Sequence, residues 1–157
     1  AQLSYRIMEL QETSFSFSKK VSTFKALNTA RETLMANIIE FPTHSDSRGK
    51  LSVFQDGIPF EIKRVFTIYD VPSNEVRGGH GHKTTEMVMI ALGGSVEITV
   101  VTNSEESTFK LEPGKQGLYL APQDWHEMKR FEKNTSLVLL CSHFYDKDDY
   151  VFERPNS

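Results

Sequence analysis

The chain has 157 residues, 38% of them hydrophobic and 25% charged, with a net charge of −3 at pH 7. That length suits one domain with a short appendage, the balance is that of a soluble globular protein and does not look like a disordered tail, and no apolar run approaches the ~20 residues that span a bilayer. The slight negative charge argues against general nucleic-acid binding, and a lone cysteine behind no signal peptide points to the cytoplasm.

Residues 1–36 are rich in Ser, Thr, Gln, Glu and Lys and contain neither Gly nor Pro. Ser14-Phe15-Ser16-Phe17-Ser18 alternates as an edge strand would, and Thr29 to Ala36 suits a helix. We expect this stretch to be a linker or accessory N-terminal segment. The chain opens without methionine, so we also expect a processed product or a domain of a longer polypeptide. Residues 37–157 read as the main domain. From Ile38 onward, strand-like runs alternate with turn residues. They are Leu51–Phe54 before Gln55-Asp56-Gly57, Ile62–Tyr69, Met87–Leu92 before Gly93-Gly94, and Ser95–Val100. Ser107–Leu111 before Glu112-Pro113-Gly114, Gly117–Leu120, Glu127–Phe131 and Ser136–Leu140 complete the set. Thr43 to Ser47, around His44, reads as a loop. About eight short strands, frequent turns and almost no helical periodicity predict an all-β antiparallel barrel or jelly roll. Cys141 closes the apolar run from Leu137 and reads as a buried packing residue.

The histidines carry more chemistry. His80-Gly81-His82 is followed by Glu86 and then Gly93, and His126 follows Pro122-Gln123-Asp124-Trp125. Residues two apart on a strand share a face, so both imidazoles of the first pair enter the lumen of a narrow barrel if that face does. His80, His82, Glu86 and His126 together have the make-up of a metal site for iron, manganese, nickel or zinc. The plainer alternative is a set of satisfied polar residues at a barrel mouth. The spacing resembles the cupin superfamily, whose first motif reads H-x-H, three or four residues, E, six residues, G. The glycine usual six positions before the first histidine is missing, and the second motif is one residue short.

The surrounding segments are more specific. Ser47-Arg48-Gly49-Lys50-Leu51, Ile58 to Phe66, Arg77-Gly78-Gly79-His80-Gly81-His82-Lys83, Gly117 to Leu120 leading into Trp125-His126-Glu127-Met128, and Phe144 to Tyr150 occur in that order. Together they resemble the dTDP-4-keto-6-deoxyglucose 3,4-ketoisomerases, also labelled WxcM-like or FdtA-like sugar isomerases. The resemblance runs from about Ile38 to Phe152. It implies a homodimeric cupin jelly roll that moves a keto group of a dTDP-linked 6-deoxyhexose without metal or other cofactor, for surface-glycan synthesis. It implies a proton-shuttling histidine at His80, with His82 beside it. Gly79 stands where the family often has phenylalanine, and Phe66 where some members have tyrosine.

The chemistry agrees with these residue types. Moving the keto group from carbon 4 to carbon 3 needs a base for the carbon-3 proton, an enediolate, and proton return at carbon 4. Histidine can give and take a proton near neutral pH. His82, His126 and Arg77 are candidate donors to the enediolate oxygen, with Tyr69 and Tyr119 behind them. Arg48, Arg64 and Arg77 suit the diphosphate. Phe66, Tyr119 and Trp125 are candidates to stack on thymine. Arg64 shares a strand face with Phe66 and Ile68, so it enters the barrel only if that face does. Glu86 can serve as an enediolate partner, a histidine orienter or a buried pair. His44 and His143 are left outside the site. Two rival readings stand beside the isomerase: a metal-dependent cupin enzyme and a non-catalytic sugar-binding cupin. Residues 1–36 leave room for fusion to an acyltransferase domain, as in some WxcM-like proteins.

Overall fold

A computed structural model of the chain describes residues 35–156. The expected accessory segment, with its Ser14–Ser18 strand and nearly all of the Thr29–Ala36 helix, therefore lies outside the described residues.

The described strands are β1 (Asn37–Glu40), β2 (Thr43–Asp46), β3 (Gly49–Ser52), β4 (Arg64–Tyr69), β5 (Arg77–His82) and β6 (Met87–Leu92). They continue as β7 (Val96–Thr102), β8 (Glu105–Leu111), β9 (Gln116–Leu120), β10 (Trp125–Lys129), β11 (Ser136–Cys141) and β12 (Tyr150–Val151). A 3-10 turn, Lys147–Asp149, precedes β12. Two five-stranded antiparallel sheets form, in the orders β1-β9-β6-β11-β4 and β12-β5-β10-β7-β8, with β2-β3 as a separate hairpin. Apart from the β7–β8 hairpin, the chain changes sheet at every step from β4 to β11. This is the winding of the expected all-β jelly roll. Among the described residues, no helix is long and apolar enough to cross a membrane.

The apolar pattern dictates which face meets which layer. In β6 every residue from Met87 to Ala91 is buried because both faces of its sheet are covered. Met87, Met89 and Ala91 join Ile98, Leu118 and Leu139 in the interior, where the two sheets face each other. Val88 and Ile90 turn the other way and pack with Phe41, beneath Phe54, Ile58 and Phe60. β4 is covered on one side only. Arg64, Phe66 and Ile68 are half-buried, with Phe66 and Ile68 against the interior cluster, while Val65 and Tyr69 are exposed. Strict alternation of this kind marks a half-buried strand.

Thr43 to Asp46 is strand β2, not a loop. All four of its residues are exposed, so no buried face imprinted a hydrophobic pattern on them. β5 is also irregular. Its register against β10 runs His126↔His80, then Glu127↔Gly78 and Met128↔Arg77, leaving Gly79 as the extra residue of a β-bulge. Gly78 and Gly79 have φ of +88° and +77°, which glycine adopts without a Cβ penalty. A Cβ on Gly78 would also stand only 2.8 Å from the carbonyl oxygen of His126.

Candidate active site

β5 and β10 pair His80 with His126, and three imidazoles meet in the interior between the sheets. The ring centres are 5.2 Å apart for His80 and His82, 5.0 Å for His80 and His126, and 6.2 Å for His82 and His126. β12 extends the sheet beyond β5 and sets Tyr150 opposite His82. The Tyr150 ring lies 4.8 Å from His80 and 4.7 Å from His82, and the exposed Phe152 stacks on it at 5.8 Å, with its own ring 6.2 Å from His80. From β4, Arg64 turns inward as its strand face does. Its guanidinium sits 5.3 Å from the Phe66 ring centre and 5.7 Å from that of Tyr145.

Hydrogen bonds define the protonation of this cluster. His82 Nδ1 is 3.0 Å from Asp149 Oδ2. Asp149 also accepts from the Thr84 backbone N–H at 2.8 Å, the Thr84 hydroxyl at 2.7 Å and the Thr85 hydroxyl at 2.6 Å. Burial works to raise the Asp149 pKa, but the bonds from Thr85, Thr84 and His82 outweigh it and hold the carboxyl well below the usual range. An ionised carboxylate accepts only, so His82 carries its proton on Nδ1 and Nε2 keeps a lone pair. That Nε2 is buried and has no hydrogen-bond partner. Burial lowers the His82 pKa, Asp149 works against the shift, and the Arg64 charge reinforces it.

His126 is almost wholly buried, and its Nδ1–H donates to the Asp124 carbonyl at 3.2 Å. Burial drives its pKa down to about 3, with small contributions from His80 and His82 in the same direction. It is therefore neutral, with Nε2 an acceptor. The expectation that His126 donates to an enediolate oxygen is corrected on this ground, because its one N–H is committed to Asp124. His80 is half-buried. Burial and the neighbouring His82 hold its pKa below the ordinary value, against a backbone hydrogen bond at Gly78. The cluster is thus a set of neutral acceptors near pH 7.

Positive charge comes from arginine. Arg64 makes no ion pair among the described residues, and its Nε is buried without a partner. A buried donor left without a partner is costly until an acceptor meets it. Arg77 is exposed at the start of β5. Simple alternation from His80 would send Arg77 to the outer face. The bulge restores it to the interior side, opposite the buried Met128.

Several expected residues stand elsewhere. Tyr119 lies between the interior residues Leu118 and Leu120, so it faces outward, where its hydroxyl donates to Glu86 Oε1 at 2.8 Å. Glu86 precedes the inward Met87 and shares that outer face. The three histidines and Glu86, which have the make-up of a metal site, are therefore not brought together, and no group of three or more potential ligands is placed for a metal among the described residues. Trp125 neighbours the inward His126 and turns the opposite way. Its Nε1–H donates to the Phe152 carbonyl at 3.4 Å, and Arg154 covers its ring at 5.0 Å. It clamps the C-terminal segment instead of meeting the histidines. Tyr69 is on the exposed face of β4. Arg48 sits beyond β2 in the hairpin turn, highly exposed and hydrogen-bonded to Asp46, with no bond or ring contact to the cluster. Phe66 lies on the interior side, beside Arg64.

Tyr145, Asp149 and Tyr150 belong to the Phe144 to Tyr150 segment that carries part of the family resemblance, but neither they nor Phe152 are given a site role by the sequence. They reach the cluster through the pairing of β12 with β5, which joins residues almost seventy positions apart. No local period in the segment announces that pairing.

The family model FdtA, described as WxcM-like, C-terminal, matches residues 35–156. The curated TDP-4-oxo-6-deoxy-alpha-D-glucose-3,4-oxoisomerase of Aneurinibacillus thermoaerophilus is 36% identical over 121 residues, covering 76% of this chain and 87% of its own. The 3,4-ketoisomerase QdtA of Thermoanaerobacterium thermosaccharolyticum, solved as a histidine-to-asparagine variant with TDP-4-keto-6-deoxyglucose, superposes with a TM-score of 0.72. It is 35% identical over 76% of this chain and 88% of its own. The TDP-fucose-3,4-ketoisomerase of Campylobacter jejuni gives 0.69 at 33% identity, over 75% and 89%. The matched length and the shared jelly roll show that this chain belongs to the FdtA, or WxcM-like, family of sugar-nucleotide 3,4-ketoisomerases.

Proposed function

We propose that the protein isomerises TDP-4-keto-6-deoxyglucose to a TDP-linked 3-keto-6-deoxyhexose by histidine-mediated proton transfer. The observation that carries the mechanism is the convergence of neutral imidazoles in the interior, one of them with a buried, unpartnered Nε2. A neutral imidazole takes the proton from carbon 3. The electrons of that C–H bond form a carbon 3–carbon 4 double bond, and the carbonyl oxygen at carbon 4 becomes the enediolate oxygen. Return of a proton to carbon 4, with loss of the hydroxyl proton at carbon 3, leaves the keto group at carbon 3. No net oxidation occurs. Acid–base assistance of this kind contributes about 10²–10⁴-fold.

His80 and His82 are the residues in reach of this chemistry. His126 accepts a hydrogen bond from a sugar hydroxyl through Nε2 and holds the ring in place. Arg64 and Arg77 meet negative charge, of the diphosphate or the enediolate, and Phe66 with Tyr150 supplies the apolar walls. The substrate and the enzyme class agree with the names borne by the relatives. We further propose a cytoplasmic homodimer acting in surface-glycan synthesis. Leu51, Val65 and Tyr69, exposed by 63, 57 and 64%, supply apolar surface for a second copy.

The test is proton NMR of TDP-4-keto-6-deoxyglucose incubated with the chelator-treated protein in deuterated water. A 3-keto sugar carrying deuterium at carbon 4 is the expected product. Nucleotide binding without conversion would instead support a sugar-binding role. Conversion restored only by a divalent ion would support a metal-dependent one.

A further inference from the structure

We infer that Asp149 is a positioning residue that fixes His82 with its proton on Nδ1, making Nε2 the nitrogen through which His82 exchanges protons with the sugar. This rests on the proposed isomerase reading and divides the labour within it. Both side chains are buried and bonded at 3.0 Å across 67 residues of sequence. The carboxylate is itself held. Oδ1 accepts from the Thr84 N–H and the Thr84 hydroxyl, and Oδ2 from the Thr85 hydroxyl as well as from His82. The backbone adds a further tie, from the Lys83 N–H to the Asp149 carbonyl at 2.8 Å. With the carboxylate locked on both oxygens, the imidazole is fixed in tautomer as well as in place. Its remaining nitrogen faces the cluster with nothing bonded to it. His80 has no carboxylate partner among the described residues; its ring bonds the backbone at Gly78 instead.

The arrangement makes the amide variant informative. In Asp149→Asn the Thr84 N–H keeps the amide oxygen at the Oδ1 position, which turns the amide N–H₂ toward His82 Nδ1. That contact forces the imidazole proton onto Nε2 and removes the lone pair from the reaction side. We expect kcat to fall by about 10²–10⁴-fold, the scale of a lost or mis-tautomerised base, with KM changed little. Asp149→Glu should recover part of the loss, because a carboxylate still accepts from Nδ1. The decisive readout is the imidazole ¹⁵N spectrum of His82, assigned through His82→Asn. It should show Nδ1–H in the wild type and Nε2–H in Asp149→Asn. An Nε2–H tautomer in the wild type overturns the inference whether or not any variant folds. A full kcat in folded Asp149→Asn overturns it as well. Failure of the isomerase reading appears separately, as wild-type protein that converts no TDP-4-keto-6-deoxyglucose while its His82 tautomer is measured unchanged.

Discussion

The two faces of the same strands have opposite fates. On β10 the inward His126 joins the histidine cluster, while its neighbour Trp125 turns outward and clamps the C-terminal segment. On β9 the inward Leu118 and Leu120 belong to the main core, and Tyr119 between them bonds Glu86 on the outer side. At the start of β6 the same split separates Met87 from Glu86. One residue of register therefore decides whether a side chain can take part in the chemistry, however suitable its functional groups are. β5 adds the exception: its glycine bulge brings Arg77 to the interior side by breaking the alternation that would have excluded it.

The sharpest contrast between the faces is catalytic. His82→Asn or His80→Asn should lower kcat by about 10²–10⁴-fold with the fold retained, as measured by steady-state kinetics beside circular dichroism. Acid should separate the faces next. Unfolded His126 takes up a proton near its ordinary value of 6.5, while the folded residue resists until about 3. Between those values proton uptake favours the unfolded chain, so stability is complete above pH 6.5 and declines as the pH falls toward 3. For this one group the full decline is roughly 5 kcal/mol. Urea unfolding at pH 7 and pH 4 should show a much smaller difference in His126→Gln.

Arg64→Met removes an unpaired cation from the interior and should weaken TDP binding by roughly 10- to 100-fold, the scale of a hydrogen-bonded charge. Isothermal titration calorimetry reads that loss directly. Gly78→Ala attacks the bulge through its positive φ and the 2.8 Å approach to His126. It should cost about 1–3 kcal/mol of stability and reduce TDP affinity, because the turn that aims Arg77 is lost. Tyr119→Phe probes the outer face. It should lower stability by about 1 kcal/mol through the lost bond to Glu86, and leave kcat close to the wild-type value.

The sequence made the barrel legible because its strands carry their burial pattern openly. β6, β7, β9 and β11 read as apolar or alternating runs, with Gly93-Gly94 marking the turn from β6 to β7 and Glu112-Pro113-Gly114 the turn into β9. β2 was missed because an exposed hairpin has no buried face to betray it. Within the site, His80, His82 and His126 were legible from spacing, and Arg64 with Phe66 from alternation on β4. Tyr119 and Trp125 were selected for their aromatic character, although each stands one position from a residue that faces the interior. Asp149 and Tyr150 lie in the Phe144 to Tyr150 segment of the resemblance, yet their role was illegible. It depends on the pairing of a two-residue strand with a distant partner, and no local period encodes such a contact.

The central claim is that proton transfer belongs to the interior histidines and not to the polar residues of the outer face. The most direct test follows deuterium entering the sugar ring from deuterated water, by proton NMR, for the wild type, His82→Asn and Tyr119→Phe side by side. The account predicts rapid labelling at carbon 4 by the wild type and Tyr119→Phe, and labelling slowed at least about 100-fold in His82→Asn. Labelling that survives in folded His82→Asn and disappears in folded Tyr119→Phe would contradict it.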